Sequence, residues 1–176
     1  ISLHVIAKRD KGLFNSAYKD ELTGLYNRRA YEESLDRIRK EVPGEKMMVV
    51  VIFDVNGLKE VNDKLGHAAG DELLRGAAST IRSVYGNYGK CYRTGGDEFV
   101  VILEEPVEKL SVLNENFEKV VAKWHGKQVA ELNISYGAGL SEEVCSIDEQ
   151  IILADQRMYF DKKAYYQRIG KDRRSY

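Results

Sequence analysis

The residues best suited to chemistry sit in two places. RTGGDEFVVIL (Arg93–Leu103) puts two glycines and two carboxylates, Asp97 and Glu98, directly before an apolar run that reads as a buried strand. Glycine weakens strands and adjacent like charges repel, so local stability does not favour this order. KMMVVVIFDV (Lys46–Val55) is a second apolar run, closed by Asp54. If these strands are neighbours, the end of one meets the turn of the other. Carboxylates converging there repel unless a cation lies between them. A hard divalent ion with oxygen ligands, Mg²⁺ or Mn²⁺, suits that position and takes substrate phosphates as further ligands. The glycines permit a tight turn and let a ligand approach the backbone. The competing reading is a solvated hairpin tip, with Gly-Gly for the turn and acids for solubility.

FDVNGLKEVNDKLGHAAGDELL (Phe53–Leu74) bears on the choice. Asn56-Gly57-Leu58-Lys59 lies where the strand turns into a helix. Free N–H groups at a helix start, with a lysine beside them, suit a phosphate. Asn62 and Asp71 flank a break at Gly66 and can face each other across a helix–turn–helix. A carboxylate there accepts from the N1–H and amine of guanine, and a carboxamide adds a contact; adenine has no such donor pair on that edge. Each residue also has a plainer role: Asn62 and Asp71 as helix caps, Lys59 as a solvated charge. His67 has no His or Cys partner at ligand spacing, which favours packing or hydrogen bonding at the turn over metal binding.

These groups must be positioned by the elements around them. Residues 1–19 read as a helix or linker. DELTGLYNRR (Asp20–Arg29) is a turn and helix start with Asn27 as N-cap, and Tyr31, Leu35, Ile38 and Val42 recur at helical spacing. A short helix covers Leu58–Leu65, and a second begins near Ala69 with Leu73, Leu74, Ala77, Ile81 and Val84 on one stripe. KCYRT and EFVVIL read as hairpin strands. Leu110, Leu113, Phe117, Val120, Val121 and Trp124 mark a further helix. ELNISYGAGL alternates Leu132, Ile134, Tyr136 and Ala138 as a half-buried strand, and a last helix runs from Ile147 past Lys162. This order predicts an α+β sandwich around one mixed sheet with an internal hairpin.

A length of 176 residues fits one domain with a real core, and a net charge of −1 gives no reason to expect nucleic acid or an anionic membrane as partner. The longest apolar run, Met47–Phe53, falls far short of the about 20 residues that span a bilayer. No signal peptide is visible, and the start at Ile1 predicts a piece of a longer chain. Cys91 and Cys145 form no C-x-x-C pair and read as reduced thiols of a cytoplasmic domain.

Taken together, the residues resemble the GGDEF family, the diguanylate cyclases. The signature stands complete as Gly95-Gly96-Asp97-Glu98-Phe99, preceded by Arg93. DELTGLYNRR, FDVNGLKEVNDKLGHAAGDELL and ADQRMYFDK (Ala154–Lys162) match further family blocks in order. The resemblance implies a ferredoxin-like, palm-type nucleotide-cyclase fold with a mainly antiparallel sheet. It divides the chain into a linker helix at 1–19 and a catalytic domain at 20–176. It also implies that two domains, each holding GTP, face each other in a homodimer and make cyclic di-GMP and pyrophosphate. By position, Asp54, the Val55 carbonyl and Asp97 would hold the metal, with Glu98 contributing, and Asp97 would assist deprotonation of the attacking hydroxyl. Asn62 and Asp71 match guanine readers. Lys59, Lys162 and the backbone at Gly57 and Leu58 match phosphate contacts. His67 matches a pocket position, and Arg93 is grouped with the substrate-binding residues. An N-terminal sensor domain is expected in the parent, which can be membrane-bound although this piece makes no membrane contact. The alternative is a non-catalytic module that binds GTP or serves regulation or dimerisation.

Three departures stand out. Asn56 replaces a frequent Asp, and Gly57 and Leu58 replace aromatic residues. Tyr165-Tyr166 replaces a Gly-Arg or Gly-Lys pair, removing a second phosphate cation for which Arg168 and Lys171 are the nearest substitutes. The R-x-x-D motif that binds product as a brake is Gly86-Asn87-Tyr88-Gly89 here, without guanidinium or carboxylate. No product inhibition is expected through that stretch.

Overall fold

Seven consecutive residues of the strand β1 (Val49–Val55) are buried, Asp54 among them, so this central strand is covered on both faces. The computed structural model describes residues 3–41, 47–104 and 108–170; Val42, Lys46 and Lys171 lie outside them. Around β1 the described elements run α1 (Leu3–Tyr18), α2 (Arg28–Arg39), α3 (Leu58–Leu65), α4 (His67–Tyr85), β2 (Gly89–Arg93), β3 (Glu98–Leu103), α5 (Glu108–Ala122), β4 (Ile134–Leu140) and α6 (Ile147–Arg168). The strand order is β2-β3-β1-β4 and every ladder is antiparallel. Among the described residues, parallel pairing is confined to an isolated Tyr26–Tyr92 bridge. With helices between β1 and β2 and between β3 and β4, this is the ferredoxin-like α+β order that the resemblance implies, and the expected mixed sheet is instead antiparallel in all its ladders. The β2–β3 hairpin has β3 inside the sheet and β2 at its edge.

The period of two along β1 divides the core. Val49, Val51, Phe53 and Val55 pack with Leu73, Ile81 and Phe117 of α4 and α5. Val50 and Ile52 face the other way, with Tyr31 and Leu35 of α2 and Ala154 and Met158 of α6. Each such fully buried side chain contributes about 1.5–3 kcal/mol. Phe53 is the aromatic hub, its ring centroid 5.2 Å from Phe117, 5.5 Å from Tyr85 and 6.0 Å from Tyr136.

Several boundaries differ from the sequence expectation. Helix α4 starts at His67 because Gly66, at φ +88°, makes the junction with α3 in one residue. Trp124 lies beyond the end of α5, and its ring covers Gly76 of α4 where a Cβ would collide with it. On β4, Ser135, Gly137 and Gly139 are the more buried set, while Ile134, Tyr136 and Ala138 are partly covered. Helix α6 lies directly on the glycines: a Cβ on Gly137 would run into the backbone of Ala154 and Met158, and one on Gly139 into Gln150. That close approach sets the height of α6 above the sheet. The helix is entered through a capping box, in which Ser146 and Glu149 satisfy each other's backbone N–H.

Candidate active site

Asp54 shares the face of Val50 and Ile52, so it points toward α6. On α6 the sheet-facing stripe runs Ile147, Ile151, Ala154 and Met158, and its continuation is Asp161 and Lys162. Asp161 accepts the Tyr136 N–H (3.0 Å), and Lys162 Nζ donates to Asp54 Oδ1 (2.8 Å). Across the β1–β3 ladder Glu98 stands opposite Asp54. The Val55 N–H donates to the Asp97 carbonyl (2.9 Å), so the hairpin is tied to the end of β1. By antiparallel alternation the Asp54–Glu98 pair is then non-hydrogen-bonded, the kind in which facing side chains lie closest. Burial lifts the Asp54 carboxyl above the ordinary carboxylate range; the Lys162 hydrogen bond pulls it back, and Asp97 and Glu98 add to the rise.

The same edge carries a helix start and two lysines, features that suit an anion. Gly57, at φ +75°, caps α3 without a side-chain hydrogen bond, leaving the first N–H groups to other acceptors. Gly57, Leu58 and Lys59 line a cavity of about 300 Å³ together with Val55, Asp97, Lys162 and Tyr166. Four separately predicted parts therefore meet: the strand end, the helix start, the acidic hairpin and the C-terminal lysine. Tyr166 is an addition, on the α6 turn that follows Lys162. Its only sequence signal was the loss of the cation at that position.

Asn62 of α3 lies against Gly70 of α4, where a Cβ would collide with its carboxamide, and Asp71 is the next residue. Both side chains are half-buried, and His67 is exposed at the first position of α4. These three do not line the 300 Å³ cavity. Asn56 is buried and turned toward β4, where its Nδ2 donates to Ser135 Oγ (2.9 Å); its Oδ1 has no partner among the described residues.

Arg93 does not line the cavity either. Its Nη1 lies 3.2 Å from both carboxylate oxygens of Asp20, and its Nη2 donates to the Gly96 carbonyl (2.8 Å). Arg28 donates to the Thr94 carbonyl (3.0 Å), and the Thr94 hydroxyl to Glu98 Oε1 (2.8 Å). The DELTGLYNRR block is thus a clamp on the hairpin that carries Asp97. Burial opposes ionisation of Asp20, but hydrogen bonds from the Thr23 hydroxyl and N–H, with Arg93, hold it below the ordinary carboxylate range. The contacts that join this block to the hairpin, Arg93 with Asp20 and Arg28 with the Thr94 carbonyl, span 73 and 66 residues and have no local signal in the sequence.

Asp54, Asp97 and the Val55 carbonyl offer hard oxygen donors, which suit Mg²⁺ or Mn²⁺ and not a zinc cage. No group of three or more His, Cys, Asp or Glu side chains forms a metal cage among the described residues. Mg²⁺ fits such an edge because it typically takes one or two carboxylates and completes its shell with water and phosphate. Asp54 already engages a cation, the Lys162 ammonium.

The fold and this edge define a ferredoxin-like α+β domain with an acidic hairpin beside a helix start that carries a lysine. Residues 17–168 match the family described as diguanylate cyclase, GGDEF domain, and the chain belongs to that family. It is 35% identical over 161 residues to the probable diguanylate cyclase DgcI of Escherichia coli K12, covering 89% of this chain and 34% of that protein. It is 32% identical over 165 residues to the diguanylate cyclase DgcN of the same organism, covering 90% and 40% respectively. The chain therefore spans two fifths or less of the length of these relatives. Its fold is similar to the coiled coil and GGDEF domain of DgcB from Caulobacter crescentus, solved in complex with c-di-GMP. There the TM-score is 0.77 at 24% identity, over 96% of this chain and 90% of that one. Among the described residues no helix is long and apolar enough to cross a membrane.

Proposed function

We propose that this domain is a diguanylate cyclase, condensing two GTP into cyclic di-GMP with release of two pyrophosphates. The observation that carries the reading is the meeting of Asp97, Lys59 and Lys162 around one cavity at the start of α3, with Asp54 joined to it by the Lys162 ion pair. Asp54, the Val55 carbonyl and Asp97, with Glu98 beside them, would hold Mg²⁺ or Mn²⁺, which supplies charge stabilisation to the attacking and leaving oxygens. The backbone at Gly57 and Leu58, with Lys59 and Lys162, binds the triphosphate. Asp71 accepts from the N1–H and amine of guanine, Asn62 adds a contact, and His67 borders the base. Asp97 receives the proton of the 3′-hydroxyl as that oxygen attacks the α-phosphate of the partner domain's GTP. Arg93 serves by holding the hairpin at Gly96. Two domains must face each other, so the active form is a homodimer, and proximity of the two substrates supplies much of the rate. In the parent, a cytoplasmic domain of this kind would follow an N-terminal sensor.

A second reading, a module that binds GTP without turnover, is favoured by one observation. Tyr166 stands in the cavity where the family pattern places a cation. Incubation of concentrated protein with GTP and Mg²⁺, wild type beside Asp97→Asn, separates the two. Cyclic di-GMP from the wild type and at least about 100-fold less from the variant supports the cyclase. GTP binding with equal, background product from both supports the silent module.

A further inference from the structure

Lys162 stands between two partners. Its ammonium is 2.8 Å from Asp54 Oδ1, in an ion pair whose side chains are only 22% and 12% exposed. The same side chain lines the cavity with Gly57, Leu58 and Lys59 at the start of α3. We propose that Lys162 is a resident counter-ion, holding the cation position at Asp54 until a bound triphosphate draws it away, so that divalent metal and nucleotide enter together. The proposal rests on the metal-and-triphosphate reading above.

Charge explains why a placeholder is needed. Asp54 is buried, faces Glu98 across the ladder and has Asp97 at the adjoining turn, so an unpaired Asp54 carboxylate would be costly. A divalent ion arriving alone must displace the ammonium and strand it in a half-buried site. A triphosphate arriving with the ion gives the ammonium a new anion. The exchange needs only the side chain to move. The flexible four-carbon stem of lysine suits it, whereas the helix is fixed by Asp161 on the Tyr136 N–H and by its close packing on Gly137.

The test is Mn²⁺ binding to the full chain, followed by electron paramagnetic resonance, with and without inorganic tripolyphosphate. Wild type should bind Mn²⁺ weakly alone. Corrected for Mn²⁺ held by free tripolyphosphate, its affinity should rise about tenfold or more when tripolyphosphate is present. Lys162→Gln should bind Mn²⁺ alone about tenfold tighter than wild type and lose most of that synergy. Lys162→Arg, which keeps the ion pair and guards against a folding artefact in the glutamine variant, should show no gain. Wild-type Mn²⁺ affinity that is indifferent to tripolyphosphate, or a Lys162→Gln affinity no better than wild type, overturns the placeholder. Absence of Mn²⁺ binding by every variant, including with GTP, overturns the metal site itself and the proposal with it.

Discussion

Asp54 and Glu98 face each other across the β1–β3 ladder as a pair of carboxylates in a sheet that is otherwise apolar at its centre. Opposed like charges destabilise a ladder, whereas opposite charges or apolar pairs at the same register would strengthen it. The arrangement therefore points to a role beyond folding.

Glu98→Gln removes that repulsion and keeps an oxygen for the Thr94 hydroxyl. The variant should be more stable than wild type by about 0.2–1 kcal/mol in urea denaturation without metal. Its cyclic di-GMP production should fall. A less stable variant would mean that the facing carboxylates do not repel in the folded protein.

Base selection is tested at Asp71. Asp71→Ala should weaken GTP by about 1.5–3 kcal/mol, the range for a hydrogen bond to a charged group. It should weaken inosine triphosphate, which keeps the N1–H but lacks the amine, by less. Gly70→Ala, which drives a methyl group into the Asn62 carboxamide, should also weaken GTP while leaving Asp71 in place. Equal losses for both nucleotides on Asp71→Ala would mean that Asp71, inside α4, does not read the guanine amine.

The clamp predicts a pH dependence. Asp20 is held below its ordinary value, so in acid the unfolded chain binds a proton there before the folded one does. Its contribution to stability is full above the unfolded value of about 3.9 and is lost as pH falls through the lower folded value. The stability difference between wild type and Asp20→Asn should accordingly be constant near neutrality and shrink below about pH 4. A difference that grows in acid would contradict the Arg93–Asp20 account.

Product feedback is expected to be absent at Gly86–Gly89. Gly86 closes α4 and Gly89 opens β2, with Tyr88 between them, and no guanidinium or carboxylate is offered. Micromolar cyclic di-GMP should leave turnover unchanged. Inhibition that disappears on mutating this stretch would overturn the expectation.

The parts of the site set by short-range rules were legible in the chain. Asp54 at the end of an apolar strand, the Gly66 break and the Asn27 cap follow from period, glycine and capping chemistry. Relations set by register or by helix height were not. The Arg93–Asp20 contact joins residues 73 apart, which no local pattern reveals. The inverted burial of β4 depends on α6 descending onto Gly137 and Gly139, which alternation alone does not reveal. Tyr166 reached the cavity through the same helix placement, one turn after Lys162.

The most direct measurement is a crystal structure of the protein with a non-hydrolysable GTP analogue and Mn²⁺, with the metal located by anomalous scattering. The account predicts a peak coordinated by Asp54 and Asp97 at about 2.0–2.3 Å, with the phosphates over Gly57 and Leu58 and Lys162 turned from Asp54 toward them. A nucleotide bound elsewhere, or a Mn²⁺ that touches neither aspartate, would contradict it.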